Sequence, residues 1–268
     1  MEFIAARDLD EALRARADHP DAELLAGGTD LMVEVNLADH RPARVISIRR
    51  VRELRDVTPG RIGAGATWAD LERCEHRGLA QAARTVGSPQ IRAVGTIGGN
   101  VGTASPAGDG LPWIAAADAS IVVRSAGRGE RSIAWRDFFV GVKSTSLGRD
   151  EVIVGVELPP DLPRVQEFAK VGARNAMVIA TVSCVVMRDD TGFRVALGSV
   201  APTPIRAMRA EAMINAESKV SAAVLDAFAR IVSDEVRPIT DHRSTEAYRR
   251  HAAGVLARRL VERSMAWT

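Results

Sequence analysis

The sequence has only two cysteines among its 268 residues, Cys74 and Cys184, and they lie far apart in the chain. Such a pair offers neither a disulfide framework nor the close spacing of neighbouring metal ligands. An iron–sulfur cluster normally takes four ligands, most of them Cys thiolates. We therefore do not expect this chain to build such a cluster by itself.

The sequence also has few aromatic residues, no large excess of one charge and no long apolar run. Phe, Trp and Tyr make up 4% of the chain, which argues against a stacking surface for single-stranded nucleic acid. Lys and Arg number 36 against 34 Asp and Glu, so no basic field points to a nucleic-acid partner. No apolar run approaches the ~20 residues needed to span a bilayer. The N-terminus, Met1–Ile4, leads directly into a charged stretch without a signal-peptide pattern, which predicts a cytoplasmic location.

A hydrolytic site is not recognisable either. The five histidines are scattered and none is paired with a nucleophile. Ser105 precedes Pro106 and lies outside any Gly-x-Ser-x-Gly elbow. Hydrolase chemistry is therefore excluded as an interpretation.

The length exceeds that of a usual single domain and predicts two domains with an α+β fold. Strand and helix patterns alternate in two α/β subdomains, at about residues 1–56 and 57–162, and a cluster of prolines then predicts a domain boundary. Residues 163–268 have the pattern of an antiparallel three-stranded sheet followed by helices, the first of which is expected to begin at Pro204. Residues 95–110 are predicted to form a loop.

Two glycine pairs, each predicted to follow a strand or open a loop, are the candidate binding motifs. The first motif comprises Leu24, Leu25, Ala26, Gly27, Gly28, Thr29, Asp30 and Leu31, and the second comprises Thr96, Ile97, Gly98, Gly99 and Asn100. Glycine lets successive backbone N–H groups point into one concavity that binds phosphate oxygens. Two such nests facing each other are expected to hold a pyrophosphate from both sides. Taken singly, each pair is more often a plain tight turn, and neither matches the Gly-x-Gly-x-x-Gly spacing of a Rossmann fold.

A longer set of motifs resembles the flavoprotein subunit of the xanthine dehydrogenase and carbon monoxide dehydrogenase family of molybdenum hydroxylases. The resemblance extends over essentially the whole chain, and its motifs occur in order at family-like spacings. Besides the two glycine motifs, the matching segments are 104–109 (ASPAGD), 138–141 (FFVG), 151–154 (EVIV), 157–159 (ELP) and 168–174 (FAKVGAR).

The resemblance implies an FAD-binding domain of the vanillyl-alcohol oxidase type over residues 1–162, followed by the family's C-terminal domain over residues 163–268. It also implies that both glycine motifs hold the pyrophosphate of FAD. Asp109 is carried over as a further FAD contact, Ile153 as a backbone contact and Lys170 as a residue near the flavin ring. Two alternatives stay open: Asp109 caps the next helix, or Lys170 faces solvent from its strand.

Departures from the family pattern refine these expectations. Relatives with a covalently attached flavin carry a histidine in the first glycine motif, where this chain has Thr29. The FAD is therefore expected to be non-covalent. Larger relatives place a phenylalanine against the cofactor where this chain has Val86, so aromatic stacking is not expected there.

The function implied by the resemblance is electron transfer within a larger enzyme. A large subunit would carry the molybdenum cofactor and a small subunit the [2Fe-2S] clusters, in a dimer of heterotrimers. Electrons would pass from the clusters to FAD on this chain, and then to NAD or another acceptor. Two alternatives remain, a stand-alone flavin oxidoreductase and a flavin-binding accessory protein without turnover.

Overall fold

The computed structural model describes residues 1–37 and 40–267. Its strands are β1 (Glu2–Ala5), β2 (Glu23–Leu25), β3 (Arg44–Ser47), β4 (Val57–Thr58), β5 (Arg61–Gly63), β6 (Ser120–Ser125), β7 (Gly129–Ala134), β8 (Phe139–Gly141), β9 (Ser144–Thr145), β10 (Glu151–Glu157), β11 (Val165–Val171), β12 (Val182–Asp189), β13 (Gly192–Gly198) and β14 (Ile205–Arg206). Its helices are α1 (Leu9–Asp18), α2 (Leu31–Leu37), α3 (Trp68–Leu71), α4 (Arg77–Thr85), α5 (Pro89–Val94), α6 (Ile97–Thr103), α7 (Leu111–Ala117), α8 (Trp135–Phe138), α9 (Met208–Asn215), α10 (Ala222–Glu235) and α11 (Glu246–Met265). A short 3₁₀ turn covers Arg52–Leu54.

The first sheet has the strand order β1-β3-β2, and both of its pairings are parallel. A parallel pair needs a crossover, and α1 lies between β1 and β2 in the chain. Asp8 begins this helix by accepting a hydrogen bond from the backbone N–H of Glu11. Ala12 and Leu13 form the buried face of α1. The alternation of strand and helix predicted for this segment is confirmed.

The second sheet is antiparallel, with the strand order β4-β5-β10-β6-β7. Its central strand β10 is buried from Glu151 to Val156, as expected for a strand that is covered on both faces. α7, which is buried along its whole length, belongs to the same hydrophobic core as β6 and β10. Thr67 and Asp70 form a capping box at the start of α3.

The third sheet is antiparallel and has four strands in the order β11-β12-β13-β14. The expectation of three strands was wrong, because Ile205 and Arg206 pair with the end of β13 instead of entering a helix. The predicted start of a helix at Pro204 was therefore also wrong, and α9 begins only at Met208. The Arg206 guanidinium is paired with the buried Glu211 carboxylate, and this contact fixes the short strand against α9.

Three hydrophobic cores hold these layers together. One face of the third sheet shares a core with α4, α7 and the second sheet, and the other face packs against α9, α10 and α11. A smaller core joins the α1 unit to the second sheet through Val122 and Val154. The third sheet is thus covered on both faces, and its inner face supports the elements that carry the candidate site.

The buried carboxylate of Glu167 on β11 links the third sheet to α4 and α11 through polar contacts. Its side chain has no exposed surface and is paired with the guanidinium groups of Arg77 on α4 and Arg263 on α11. Gln81 and Trp267 donate further hydrogen bonds to it, at 3.0 and 2.8 Å. Both carboxylate oxygens therefore have donors, as a buried charge requires. In the described ranges, no helix combines the length and hydrophobicity needed to cross a membrane.

Candidate functional site

The first glycine motif runs from the end of β2 into α2. Gly28 has a φ of +72°, a left-handed conformation that favours glycine. Its carbonyl accepts a hydrogen bond from the N–H of Met32, which closes the turn into α2. Among residues 1–37 and 40–267, the backbone N–H groups of Gly27 to Asp30 have no acceptor. Gly27, Gly28 and Thr29 are half-buried, where N–H groups seldom stay unpaired, and Asp30 is exposed. This segment can therefore donate hydrogen bonds to an acceptor from outside the chain.

The first glycine motif lies against the segment that comes immediately before the second motif. A Cβ added to Gly27 would lie far inside contact distance of the Val94 carbonyl oxygen, so only glycine permits this approach. On the other side of the contact, a Cβ added to Gly95 would lie 3.3 Å from the Thr29 hydroxyl oxygen. Glycines at both positions thus bring the first motif onto the junction of α5 and α6.

The second motif forms the first turn of α6 instead of the predicted loop. Thr96 is the N-terminal capping residue, and its hydroxyl accepts a hydrogen bond of 3.0 Å from Gly99. Ile97 and Gly98 donate to the carbonyls of Ala66 and Ala64, at 3.0 and 2.8 Å, and Asn100 donates to the carbonyl of Thr96. All N–H groups of residues 97–100 therefore have partners within the chain. Helix capping and the carbonyls of Ala64 and Ala66 satisfy these donors, so the second motif has no row of unpaired N–H groups like that of the first motif.

The two glycines of α6 have different roles. A Cβ on Gly98 would lie 2.6 Å from both the Cβ and the carbonyl oxygen of Ala64, so α6 packs directly onto the backbone after β5. A Cβ on Gly99 would meet only the Thr96 hydroxyl oxygen, at 3.2 Å, among the described residues. Gly98 therefore allows close packing, whereas Gly99 leaves one side of the helix open.

Two side-chain oxygens near α6 are buried without a partner. Within the described part of the chain, Oδ1 of Asn100 and Oδ1 of Asp109 accept no hydrogen bond. Cβ atoms on Gly108 and Gly110 would lie 2.7 Å from Asn100 Nδ2 and 2.8 Å from Asn100 Oδ1, so the Asn100 amide is enclosed by the loop that carries Asp109. An unsatisfied buried acceptor is costly. The two oxygens could therefore accept hydrogen bonds from the hydroxyl or N–H groups of a bound ligand.

Asp109 and Lys170 form a buried ion pair, with 2.6 Å between Oδ2 and Nζ. The Lys170 ammonium also donates to the carbonyls of Thr85 and Val178, at 2.9 and 3.1 Å, so its three hydrogens are all used. Thr85 donates its hydroxyl to the same Asp109 oxygen, at 3.2 Å. Burial raises the pKa of Asp109, while Lys170 and the Thr85 hydroxyl act in the opposite direction.

Both alternatives left open for this pair are contradicted. The helix that follows Asp109 has Gly110 at its capping position and no side-chain cap, so Asp109 does not cap it. The Lys170 side chain is only 9% exposed, so it does not face solvent. The pair instead joins β11 to the loop before α7.

Ile153 and Val86 have packing positions around the same elements. Ile153 lies on β10 and is 7% exposed, and a Cβ on Gly102 would be 3.4 Å from its Cδ1 atom. The ladder between β10 and β6 shifts register between Ile153 and Gly155. Val86 follows α4 and packs, half-buried, against the main core. Ile153 and the Asp109 loop thus lie against α6, whose first turn is the second glycine motif.

Sequence reasoning missed two residues that contact the first glycine motif. The Thr103 hydroxyl donates to Asp30, with 3.1 Å between Oγ1 and Oδ2. The Lys143 ammonium lies 3.7 Å from the same oxygen and donates to Glu34 at 2.6 Å. The only signal in the sequence is that Lys143 comes shortly after the family-like segment 138–141. This position does not reveal which residues Lys143 contacts.

Two protein-family models match the chain. The FAD-binding domain in molybdopterin dehydrogenase matches residues 1–161, and the CO dehydrogenase flavoprotein C-terminal domain matches residues 167–264. Together they span nearly the whole sequence, in the order that the sequence motifs predicted.

Individual relatives agree with these models. The xanthine dehydrogenase FAD-binding subunit of Escherichia coli O157:H7 is 31% identical, with 98% of this chain and 96% of that protein covered. The nicotinate dehydrogenase FAD-subunit of Eubacterium barkeri is 32% identical, with 98% and 95% covered. A solved structure of carbon monoxide dehydrogenase from Hydrogenophaga pseudoflava superposes with a TM-score of 0.90 at 29% identity, over 99% of this chain and 97% of that chain. The chain therefore belongs to the FAD-binding flavoprotein subunits of the molybdopterin dehydrogenases, a family of oxidoreductases.

Proposed function

We propose that this chain binds FAD non-covalently and transfers electrons within a multi-subunit molybdenum hydroxylase. It would accept electrons from iron–sulfur clusters on a partner subunit and pass them to NAD or another acceptor. The observation that carries the proposal is the row of backbone N–H groups from Gly27 to Asp30 that lack an acceptor within the described residues. These donors lie where a family member is expected to hold the cofactor's phosphates.

The residues present fit FAD in their chemistry. The N–H groups of the first glycine motif would donate to phosphate oxygens, as backbone nests do. The unpaired oxygens of Asn100 and Asp109 would accept hydrogen bonds from the cofactor's hydroxyl or N–H groups. α6 would act as a support, because its own N–H groups are already paired. Bound FAD supplies the redox chemistry, and the protein binds it, orients it and tunes its potential.

The remaining predicted contacts are kept as part of this proposal. Each lies in the first motif, in α6, on β10 or in the buried ion pair. They are Leu24, Leu25, Ala26, Thr29, Leu31, Thr96, Ile97, Gly98, Gly99, Ile153 and Lys170. Thr29 stands at the position where relatives with a covalent flavin have a histidine, and this supports a non-covalent flavin.

Partner subunits would carry the metal centres in this proposal. No group of His, Cys, Asp and Glu able to hold a metal was found within residues 1–37 and 40–267. Both cysteines are free, and burial raises the pKa of the Cys184 thiol, so it is a poor metal ligand at neutral pH. We propose a large molybdenum-cofactor subunit and a small [2Fe-2S] subunit as partners, in a dimer of heterotrimers in the cytoplasm.

We further propose the division predicted from the sequence: FAD-binding subdomains at about 1–56 and 57–162, and a C-terminal domain at 163–268. The separate parallel sheet of β1 to β3 supports the first subdomain. The core between the third sheet and α9 to α11 supports the C-terminal domain. The two-subdomain arrangement is the one expected for the vanillyl-alcohol oxidase type.

Purification of the chain from its native host tests this function. The expected result is a yellow complex that contains molybdenum, iron and two further subunits, one large and one small and rich in cysteine. A lone chain that turns over substrate with its own flavin would support the stand-alone oxidoreductase instead. A lone chain that binds flavin but shows no turnover would support the accessory protein.

Binding at the first motif is tested separately with the purified full-length chain. Gly28→Val places a branched side chain at a φ of +72°, whereas Gly60→Val adds one where nothing lies within 4 Å among the described residues. We expect Gly28→Val to lose most FAD binding and Gly60→Val to retain it, with both variants folded by circular dichroism. Full FAD occupancy in Gly28→Val would make the first motif an ordinary turn.

A further inference from the structure

Asp30 uses its side chain in an unusual way for its position. It lies immediately before α2, where an Asp carboxylate ordinarily accepts a hydrogen bond from the first helical turn. Here the backbone carbonyl of Asp30 accepts the N–H groups of Val33 and Glu34, at 2.9 and 3.1 Å. The carboxylate instead accepts the hydroxyl of Thr103, at the C-terminal end of α6. The side chain therefore connects the first glycine motif to α6.

Lys143 reaches the same carboxylate from a third element, the turn between β8 and β9. Its ammonium donates to Glu34 at 2.6 Å and lies 3.7 Å from Asp30 Oδ2. The backbone of Lys143 has a φ of +49°, and its N–H donates to the carbonyl of Ala104, which follows α6. A non-glycine residue keeps such a conformation only where its surroundings fix it. The ammonium is thus held at the start of α2 by the backbone of the turn.

The charged side chains around Asp30 affect how strongly the first glycine motif would bind an anionic ligand. Asp30 and Glu34 place two carboxylates next to the unpaired N–H groups of the first motif, and two carboxylates repel phosphate. Lys143 offsets one of these charges. Its hydrogen bond with Glu34 lowers the pKa of Glu34 and raises the pKa of Lys143, so both groups are ionised at neutral pH.

We propose that Thr103 and Lys143 are positioning residues for the cofactor's phosphates. With Asp30 and Glu34 they form what we call the loop clamp, which holds the N–H groups of the first glycine motif in place and reduces the negative charge beside them. The inference rests on the proposed function, because the ligand of the motif is taken to be the diphosphate of FAD.

The test is FAD titration of the flavin-free full-length chain, followed by flavin fluorescence. Lys143→Met should weaken FAD binding about fivefold, the scale of one partly exposed charge pair. Lys143→Arg should restore most of the affinity, because it keeps the positive charge. Lys219→Met is the matched control, since Lys219 is an exposed lysine far along the chain in the loop after α9, and its affinity should equal that of wild type.

Salt and stability separate the electrostatic role from a merely structural one. The loss of FAD affinity in Lys143→Met should become smaller in 1 M salt, where the screening length falls to about 3 Å. Without FAD, its thermal unfolding should match wild type, because exposed ion pairs contribute little to stability. If Lys143→Met fails to fold, Thr103→Val removes the other contact to Asp30 at constant volume and should also weaken FAD binding.

The outcomes distinguish this inference from the function on which it rests. If the wild-type chain takes up no FAD, the proposed function fails, and the loop clamp fails with it. If wild type binds FAD and Lys143→Met binds it equally well, only the loop clamp is refuted. A defect that Lys143→Arg does not restore, and that salt does not reduce, would also refute it.

Discussion

The ion pair between Asp109 and Lys170 is the feature whose removal should have the largest effect on stability. Lys170→Met takes away the ammonium and leaves the Asp109 carboxylate buried. At 2.6 Å and an effective dielectric near 20, the direct attraction is roughly 6 kcal/mol, and desolvation of both groups offsets much of it. Removal of one partner from a buried pair typically costs about 3–5 kcal/mol. We expect the free energy of unfolding to fall by about 3 kcal/mol at pH 8.

The loss of unfolding free energy in Lys170→Met should depend on pH in a defined direction. Burial already raises the pKa of Asp109, and Lys170 opposes the rise, so Lys170→Met raises this pKa further. A carboxyl whose folded-state pKa exceeds its unfolded value contributes stability below the unfolded pKa and loses it as the pH rises through the folded pKa. The defect of Lys170→Met is therefore smallest in acid and grows towards pH 8. Adding Asp109→Asn removes the titrating group and should remove this pH dependence.

Urea unfolding of the flavin-free chain, followed by tryptophan fluorescence at pH 5 and pH 8, measures these differences. Lys219→Met serves as the exposed control and should unfold like wild type at both values. An equal loss at the two pH values would refute the role assigned to Asp109. So would a double variant that is no more stable than Lys170→Met at pH 8.

Two further predictions use other contacts, and a third concerns the flavin potential of the Lys170→Met variant. Gly27→Ala should abolish FAD uptake measured by absorbance of the bound flavin, because its Cβ would overlap the Val94 carbonyl, whereas Gly60→Ala should bind normally. Glu167→Gln should lower the free energy of unfolding in urea by about 2 kcal/mol, since Glu167 is fully buried but its arginine partners are half exposed; a change within error would make that network dispensable. Lys170→Met removes a positive charge that is proposed to lie near the flavin, so it should lower the midpoint potential of bound flavin by a few tens of mV at pH 8. The conversion is ~30 mV for each ~1.4 kcal/mol in a two-electron reduction. A redox titration at matched salt checks this shift, and an unchanged midpoint would place Lys170 away from the flavin.

Sequence patterns predicted the elements whose causes are local. Thr67 and Asp70, three positions apart, have the residue types of a capping box, and the structure has both of its hydrogen bonds, at 3.2 and 3.0 Å. The β-branched run at Ile121 and its neighbours is typical of a strand, and it lies in β6. The order of family motifs likewise predicted the family that the comparisons show. In the capping box and the strand, the residues that decide the structure are neighbours in the sequence.

The failures have long-range causes. α6 contains two adjacent glycines, which are poor helix formers, so the segment was predicted to be a loop. The helix forms because Gly98 packs against Ala64 and donates to its carbonyl, and that partner lies in another element. β14 was missed for the same reason, because its pairing with β13 and the ion pair at Arg206 outweigh the signal of Pro204. The contact of Lys143 with Glu34 joins residues 109 positions apart, and no periodicity reveals it.

The three acceptors of the Lys170 ammonium also constrain the order in which the chain can mature. Thr85 and Asp109 leave the ribosome well before Lys170, and Val178 follows it. An N-terminal fragment that stops before residue 163 would carry the Asp109 carboxylate without its cation, on a surface that the third sheet normally covers. We therefore expect the N-terminal half to complete its packing around Asp109 only after β11 has been synthesised.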